Sequence, residues 1–85
     1  MIVKEKPVNL TRHQRELLQL LSQHQEVTIG ELASLLGVTS VAATKNIHRL
    51  EQKRLVRRVE DERDRRRTLI VLTATGQSIV DEALR

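Results

Sequence analysis

Residues 28–53 read TIGELASLLGVTSVAATKNIHRLEQK, and the capping and turn residues in this segment predict two helices in close succession. Thr28 and Glu31 form a capping-box pattern, in which each side chain satisfies a free backbone amide of the other's turn. Gly37 stands where a helix ends in a left-handed residue. A short helix between these signals would bury the three leucines Leu32, Leu35 and Leu36.

A further helix follows at once, with Thr39 or Ser40 as its N-cap and an end at about Lys53. Two helices joined by so short a turn are the signature of a helix-turn-helix, although many purely structural helix pairs look alike. The predicted core face of this helix carries residues spaced i, i+4 and i+7, namely Ala43, Ile47 and Leu50.

A helix is also predicted before this pair. Thr11 and Gln14 repeat the capping-box pattern, and the helix extends from about Thr11 to His24. Val27, after a polar connection, is predicted to add a very short strand. The helix has an apolar stripe at helical spacing, made of Leu17, Leu18 and Leu21.

After Lys53 the hydrophobic period changes from 3.6 to 2. Residues 55–59 and 68–72 then read as the arms of an antiparallel hairpin with a charged tip. A last helix begins at Thr73 or Thr75. Its apolar side consists of Ile79, Val80, Ala83 and Leu84.

The order helix, helix, helix, hairpin, helix predicts an α+β fold, mostly helical, of the winged helix-turn-helix type. The wing has two or three strands and the C-terminal helix is short. Residues 1–85 are expected to form one domain, since 85 residues are too few for a second core. Its parts are an N-terminal arm, a three-helix core, the wing and the C-terminal helix, over residues 1–10, 11–53, 55–73 and 74–85.

Composition excludes several classes of protein. The chain has no cysteine, which removes disulfides and zinc-thiolate sites, and no aromatic residue, so the core must be aliphatic. No apolar run reaches the ~18 residues of a membrane span, and the N-terminus does not resemble a signal peptide, which predicts a cytoplasmic protein. The three histidines lack ligand spacing, and no residue set looks catalytic. We therefore expect no enzyme, no cofactor and no metal.

Positive charge is concentrated in one part of the chain. Residues 39–67 hold ten basic and five acidic residues, although the whole chain has a formal charge of only +4. Six arginines lie between Arg57 and Arg67. Such a patch is typical of a nucleic-acid or anionic-membrane footprint, and a solvated charged face is the plain alternative.

The chain resembles the DNA-binding core of MarR-type winged-helix transcriptional regulators over residues 10–77. The marks of the family occur jointly, ending in a characteristic interval from an Asp-Arg-Arg triplet to a Leu-Thr pair and a glycine. They are Leu10, Thr11, Gln14, Leu18, Leu21, Thr28, Glu31, Leu32, Ala33, Leu36, Gly37, Val38, Leu50, Glu51, Leu55, Val56, Arg58, Asp64, Arg65, Arg66, Leu72, Thr73 and Gly76.

The resemblance implies that the third helix enters the major groove of double-stranded DNA, while the wing reaches an adjacent minor groove. The N-terminus of that helix suits a phosphate, Lys45 suits guanine acceptors and Val41 a thymine methyl. For Lys45 and His48, the alternative interpretation is a plain solvated side chain. The helix residues predicted to contact DNA are Thr39, Ser40, Val41, Thr44, Lys45, His48 and Arg49.

In the wing, the resemblance implies that Asp64 orients Arg66 for insertion into the minor groove, where negative potential attracts arginine. The alternative is a purely structural pair across the turn. Arg63 and Arg65 are expected to meet phosphate or the groove edge. The arginines expected to serve the base of the wing are Arg57, Arg58 and Arg67.

The chain departs from the family pattern at three places. Arg54 stands where glycine is usual and implies a strained backbone or a different turn. Asn46 replaces an apolar residue and is expected to edge the core, with a contact to DNA as the alternative. The tip also carries more acid than DNA contact needs, in Glu60, Asp61 and Glu62, which are expected to be held away from phosphates.

MarR-type regulators usually dimerise through long terminal helices, which do not fit here. We expect either a domain of something longer or a minimal homodimer that uses residues 1–10 and the C-terminal stripe. The alternative for that stripe is to close the domain's own core.

The function expected is sequence-specific binding of duplex DNA by a transcriptional regulator. The alternatives are a winged-helix adaptor for an acidic protein partner and an RNA-binding winged helix. The lack of aromatic stacking platforms disfavours RNA as the partner.

Overall fold

The computed structural model describes residues 9–84, with the backbone alone for residue 84. Residues 1–8 of the predicted N-terminal arm and the Leu84 side chain lie outside the described residues. The elements follow the winged-helix order: α1 (Arg12–Gln23), β1 (Val27–Thr28), α2 (Ile29–Leu36), α3 (Ser40–Gln52), β2 (Val56–Glu60), β3 (Thr68–Leu72) and α4 (Ala74–Ile79), which continues as a π-helical segment (Val80–Leu84).

Side-chain caps start the helices at the positions that the sequence predicts. Thr11 and Gln14 exchange hydrogen bonds of 3.2 Å in both directions at the start of α1. Thr28 and Glu31 do the same at α2, with distances of 3.1 and 2.9 Å. Each capping box satisfies two backbone amides that have no partner within the helix. The capping signals therefore decide the starts of α1 and α2.

The core is aliphatic and lies between the helices and the inner face of the sheet. The predicted stripes are confirmed: those of α1 and α3 are buried, with Ala43, Ile47 and Leu50 at 0% exposure. Ile70 of β3 joins them at 0% exposure. Close packing of this kind stabilises the fold by removing apolar surface from water.

The predicted buried face of α2 is partly wrong. Leu32 is buried and Leu36 packs against the core, but Leu35 is 51% exposed. Ala33 takes the third inward position, because α2 turns its i, i+1 and i+4 positions to the core and leaves i+3 outside. Leu35 is thus a surface residue beside Ser34.

The sheet is antiparallel and has the order β1-β3-β2. The short strand predicted at Val27 is confirmed, since Val27 pairs with Ile70. The wing is the hairpin β2–β3, in which Val56 pairs with Leu72 and Glu60 with Thr68. The first arm begins one residue later than predicted, because Leu55 lies in the preceding turn, where it is buried.

The turn between α3 and β2 explains the arginine found in place of glycine. Arg54 has φ of 62°, in the left-handed region. Its N–H donates to Glu51 O at 2.9 Å, and the N–H of Leu55 donates to Leu50 O at 3.0 Å. These two bonds form a Schellman motif, which normally places glycine at the left-handed position. The predicted strain is therefore present at Arg54.

The C-terminal helix packs against this same turn. Thr73 caps α4 and its hydroxyl donates to Arg54 O at 2.7 Å. A Cβ on Gly76 would lie 2.1 Å from Leu55 O, so a side chain cannot be accommodated there. Val80 joins the core and Ile79 packs against it, but Ala83 is exposed, contrary to the predicted stripe. The stripe thus closes the domain's own core in part.

Within the described residues, no helix has the length and apolar character needed to cross a membrane.

Candidate nucleic-acid interface

The outer face of α3 presents a continuous set of polar and basic side chains. Its predicted contact residues are all exposed: Thr39, Ser40, Val41, Thr44, Lys45, His48 and Arg49. Val41 stands out as a large apolar side chain that is 67% exposed at the start of the helix. Because Val41 is exposed, the fold does not receive the free energy that burial of an apolar side chain contributes. The face therefore has the composition of a contact surface.

Two hydroxyls on this face are already engaged within the helix. Thr39 Oγ1 accepts a hydrogen bond of 3.1 Å from the N–H of Ala42. Thr44 Oγ1 donates to the Ser40 carbonyl at 2.7 Å. The Thr44 proton is thus used, and its oxygen is left as an acceptor toward solvent. The side chains of Lys45, His48 and Arg49 and the hydroxyl groups of Thr39 and Ser40 can still donate.

A shallow depression connects this face of α3 to the wing. It is lined by Thr44, Lys45, His48, Arg49, Gln52 and Arg58. The sequence prediction does not include Gln52, although its i+4 spacing from His48 could have found it. The sequence also assigns Arg58 only to the base of the wing. The depression thus unites helix and wing in one basic surface.

Asn46 lies at the border of this surface and the core. It is half-buried, and its Nδ2 donates to Ala42 O at 3.2 Å. Asn46 therefore edges the core, as predicted.

Two aspartates shape the tip of the wing. Asp61 Oδ1 accepts the N–H of Arg63 at 2.9 Å, and the Asp61 side chain is only 15% exposed. Asp64 Oδ1 accepts the N–H of Arg66 at 3.1 Å. Aspartates that bond the backbone two residues on are typical of tight turns. These carboxylates thus serve the turn itself.

Asp64 also holds the Arg66 side chain. Arg66 Nε lies 3.1 Å from Asp64 Oδ1 and Nη2 lies 3.4 Å from Oδ2. Hydrogen bonds from the Arg66 side chain, followed by that from its backbone, lower the pKa of Asp64 below its ordinary value. The Arg66 side chain is nevertheless 91% exposed. The guanidinium group of Arg66 is thus bound to Asp64 while the side chain stays exposed to solvent.

The remaining wing arginines differ in their partners. Arg65 Nε is 3.8 Å from Glu60 Oε1. In the part of the chain that the structure describes, Arg63 forms no ion pair. Glu62, by contrast, is exposed at the tip. Of the three tip acids, Asp61 is therefore the one clearly withdrawn from the surface.

Two ion pairs join the wing to the helices, and sequence reasoning found neither. Arg58 Nε donates to Glu51 Oε1 at 2.8 Å, which ties β2 to the last turn of α3. Arg67 Nη2 donates to Glu31 Oε1 at 3.4 Å, which ties the end of the wing tip to α2. The contact of Arg58 with α3 agrees with its predicted placement at the wing's base, whereas Arg67 lies at the end of the tip, contrary to that prediction.

A helix-turn-helix followed by a basic β-hairpin places the molecule in the class of winged helix-turn-helix proteins. The match of a family profile narrows this class. The chain belongs to the MarR family, whose profile covers residues 8–67.

The relatives agree with that assignment. The chain is 32% identical over 77 residues to the organic hydroperoxide resistance transcriptional regulator of Bacillus subtilis, with 91% of this chain and 52% of that protein covered. The chain therefore spans about half the length of this curated relative. The matched relatives are transcriptional regulators rather than enzymes, as expected.

Solved structures share the fold. The adhesin competence repressor AdcR of Streptococcus pyogenes superimposes with a TM-score of 0.80 at 36% identity, covering 86% of this chain and 54% of that chain. A mutant MarR of E. coli in complex with operator DNA gives a TM-score of 0.83 at 30% identity, covering 89% and 54%. The winged-helix fold class is thereby confirmed.

Proposed function

We propose that this chain binds double-stranded DNA in a sequence-specific manner and serves as the DNA-contacting part of a transcriptional regulator. In this proposal α3 lies in the major groove and the wing reaches the adjacent minor groove. The observation that carries it is the basic depression that joins Lys45, His48 and Arg49 of α3 to Arg58 of the wing.

The dimensions of the two elements suit the two grooves. A helix with its side chains is ~10–12 Å across and fits the major groove, which is about 12 Å wide. The minor groove, at about 6 Å, admits single side chains and attracts arginine where it is narrow. A highly exposed arginine on a hairpin tip, such as Arg66, matches that groove.

In this proposal each side chain of α3 contacts the part of the duplex that suits its chemical groups. Lys45 donates to guanine acceptors and Val41 packs against a thymine methyl. Thr39, Ser40, His48 and Arg49 flank them and meet phosphates or base edges according to the groove wall they face. Thr44 offers its oxygen as an acceptor, because its proton is bonded to the Ser40 carbonyl.

In this proposal the wing arginines make two kinds of contact. Arg66 enters the minor groove in the orientation that Asp64 imposes. Arg63 and Arg65 meet phosphates at the groove edge and contribute affinity without sequence preference. A relative of the same fold, a mutant MarR of E. coli, has been solved in complex with operator DNA, which supports a duplex as the partner.

We also propose that two copies bind together. The contacts between them would use the N-terminal arm, residues 1–10, and the C-terminal helix, residues 74–85. Because Val80 is buried in the core, the exposed Ala83 side of that helix is the part left for a partner. Half-sites about one helical turn apart would then match the two-fold symmetry of the dimer.

Selection from random duplexes, followed by titration of the selected duplex at several salt concentrations, tests this function. We expect a preferred sequence and a linear fall of the logarithm of affinity with the logarithm of salt concentration, since each neutralised phosphate releases counterions. Equal binding to every duplex would contradict sequence-specific recognition, and an affinity that does not respond to salt would favour the protein adaptor instead.

A further inference from the structure

We propose that Arg67 is a positioning residue, which fixes the angle between the wing and the helix-turn-helix by pairing with Glu31 of α2. The inference rests on the proposed function, because the angle matters only if wing and α3 grip one duplex. It goes beyond that function in assigning a role to an arginine that does not itself touch DNA.

The backbone of Arg67 closes the wing tip. Its N–H donates to Asp64 O at 2.9 Å, and its carbonyl accepts the N–H of Asp61 at 3.1 Å. Arg67 is thus fixed by both of the aspartates that shape the tip. Any displacement of Arg67 moves the whole tip, including Arg66.

The side chain of Arg67 leads away from the tip toward the helices. Its Nη2 donates to Glu31 Oε1 at 3.4 Å, and its Nε lies 4.0 Å from Asp61 Oδ2. The contact with Glu31 joins residues 36 positions apart in the chain. It therefore bridges the wing and the first helix of the helix-turn-helix.

Glu31 is held in place before Arg67 reaches it. Its Oε1 accepts the N–H of Thr28 at 2.9 Å as half of the capping box. That backbone bond, then the bond with the Thr28 side chain, lowers the pKa of Glu31, and the charge of Arg67 lowers it further. A carboxylate already ordered by its helix loses little conformational freedom on pairing, which favours a well-defined contact.

The wing needs such a restraint because its other attachment is short. β1 contributes only two residues to the sheet, Val27 and Thr28, which pair with Ile70 and Leu69, so the tip, residues 61–67, projects beyond this pairing. The second tie, from Arg58 to Glu51, lies on β2 near α3. Arg58 thus holds the hairpin from β2, and Arg67 holds it from the end of the tip, one residue before β3.

A direct DNA contact by Arg67 makes the opposite prediction for one substitution. Glu31→Gln removes the negative charge but keeps a capping box, since Gln14 performs the same task in α1 of this chain. If Arg67 contacted phosphate, losing Glu31 would free it and strengthen binding. If Arg67 acts through Glu31, the same change weakens binding.

The first experiment is a double-mutant cycle of duplex affinity with Glu31→Gln and Arg67→Gln. We expect each single change to weaken binding by about 2- to 5-fold, the range of an exposed ion pair, and the double variant to be no weaker than the weaker single variant. Arg67→Lys should restore part of the loss. Arg57→Gln removes the same charge from an exposed strand position, and we expect its effect to add independently to that of Glu31→Gln.

Two results of this cycle would overturn the proposal. One is stronger binding by Glu31→Gln with weaker binding by Arg67→Gln, which would make Arg67 a direct contact. The other is strictly additive losses, which would mean that the two side chains act separately.

The second experiment needs no DNA. Because the chain has no cysteine, spin labels can be placed at Gln23→Cys and Glu62→Cys, both exposed positions, to measure the distance from α1 to the wing tip. We expect the distance distribution to broaden with Arg67→Gln and with Glu31→Gln, but not with Arg57→Gln. An unchanged distribution overturns the positioning role. If the distribution broadens but the protein binds no duplex, the proposed function is wrong, whereas the role of Arg67 in positioning the wing is supported.

Discussion

Asp64 binds Arg66 through both the backbone and the side chain of the arginine. Asp64 Oδ1 accepts the Arg66 N–H and Nε, each at 3.1 Å, and Oδ2 accepts Nη2 at 3.4 Å. A carboxylate beside a DNA-binding arginine lowers the local positive charge, which by itself opposes binding. Under the proposed function, Asp64 offsets this cost by orienting Arg66, since a restrained side chain loses less entropy when it binds.

Asp64→Asn tests this benefit by the sign of its effect. The change removes a negative charge from the wing, so electrostatics alone predicts tighter binding to every duplex. An orienting role for Asp64 predicts weaker binding to a selected site, because Arg66 loses the ionic contact with the carboxylate and the acceptor at Oδ2. Titration of a fluorescent duplex measures the change, and Glu62→Gln is the control that removes an equal charge from the exposed tip without touching Arg66. Tighter binding by both variants would show that orientation contributes nothing.

The same pair predicts how Asp64 titrates. Its pKa in the folded protein is lowered, first by the side chain and then by the backbone of Arg66. The contribution of the Asp64–Arg66 pair to folding stability is therefore fully present above the ordinary carboxyl pKa of ~3.9. It is lost as pH falls through the lower pKa of the folded protein. A carbon-detected NMR titration should find Asp64 below the ordinary value. In Arg66→Ala the pKa should rise only partway, because the backbone N–H at position 66 still donates; no change would contradict the assigned cause.

Leu50→Ala should destabilise the fold strongly. Leu50 is fully buried in the last turn of α3, and truncation there costs about 2–5 kcal/mol through lost burial and the cavity left behind. Leu35→Ala is the matched control, since Leu35 is 51% exposed and a surface change is expected to stay within about 0.5 kcal/mol. Urea unfolding compares the two variants. Equal losses would mean that the inner face of the helix pair has been assigned wrongly.

Arg54→Gly should stabilise the protein. Arg54 has φ of 62°, a conformation that costs a residue with a side chain about 1–2 kcal/mol and costs glycine little. Part of the gain is offset by the greater freedom of glycine in the unfolded chain, so we expect up to about 1 kcal/mol from urea unfolding. Arg54→Ala removes the same charge but keeps the strain, and it should not stabilise. A gain from alanine equal to that from glycine would assign the effect to charge instead.

Much of the fold could be predicted from local signals. The boxes at Thr11 and Thr28 satisfy amides of their own helices, so they act whatever surrounds them. The inward face of α3 follows from three apolar positions, Ala43, Ile47 and Leu50, spaced over about two turns. α2 has only eight residues, which are too few for the spacing to choose between Leu35 and Ala33. The prediction places the larger residue, Leu35, in the buried face, and this is wrong.

The candidate site was predictable only where its contacts are local. Asp64 and Arg66 are two residues apart, and their pairing followed from that spacing and the family resemblance. The bridge from Arg67 to Glu31 depends on how the hairpin packs beside α2, and no local pattern carries that information. For the same reason Arg58 was not predicted to line the depression beside α3.

The proposal that α3 reads the major groove and the wing reads the minor groove can be tested directly with Lys45→Ala and Arg66→Ala. Their affinities are measured for a panel of duplexes that varies every base pair of a selected site and its flanks. We expect Lys45→Ala to lose discrimination at one major-groove position, by about 1–3 kcal/mol. Arg66→Ala should lose affinity mainly for duplexes with an A/T-rich narrow groove beside that position. If both variants rank and bind all the duplexes as the parent does, α3 and the wing do not read DNA in the way proposed.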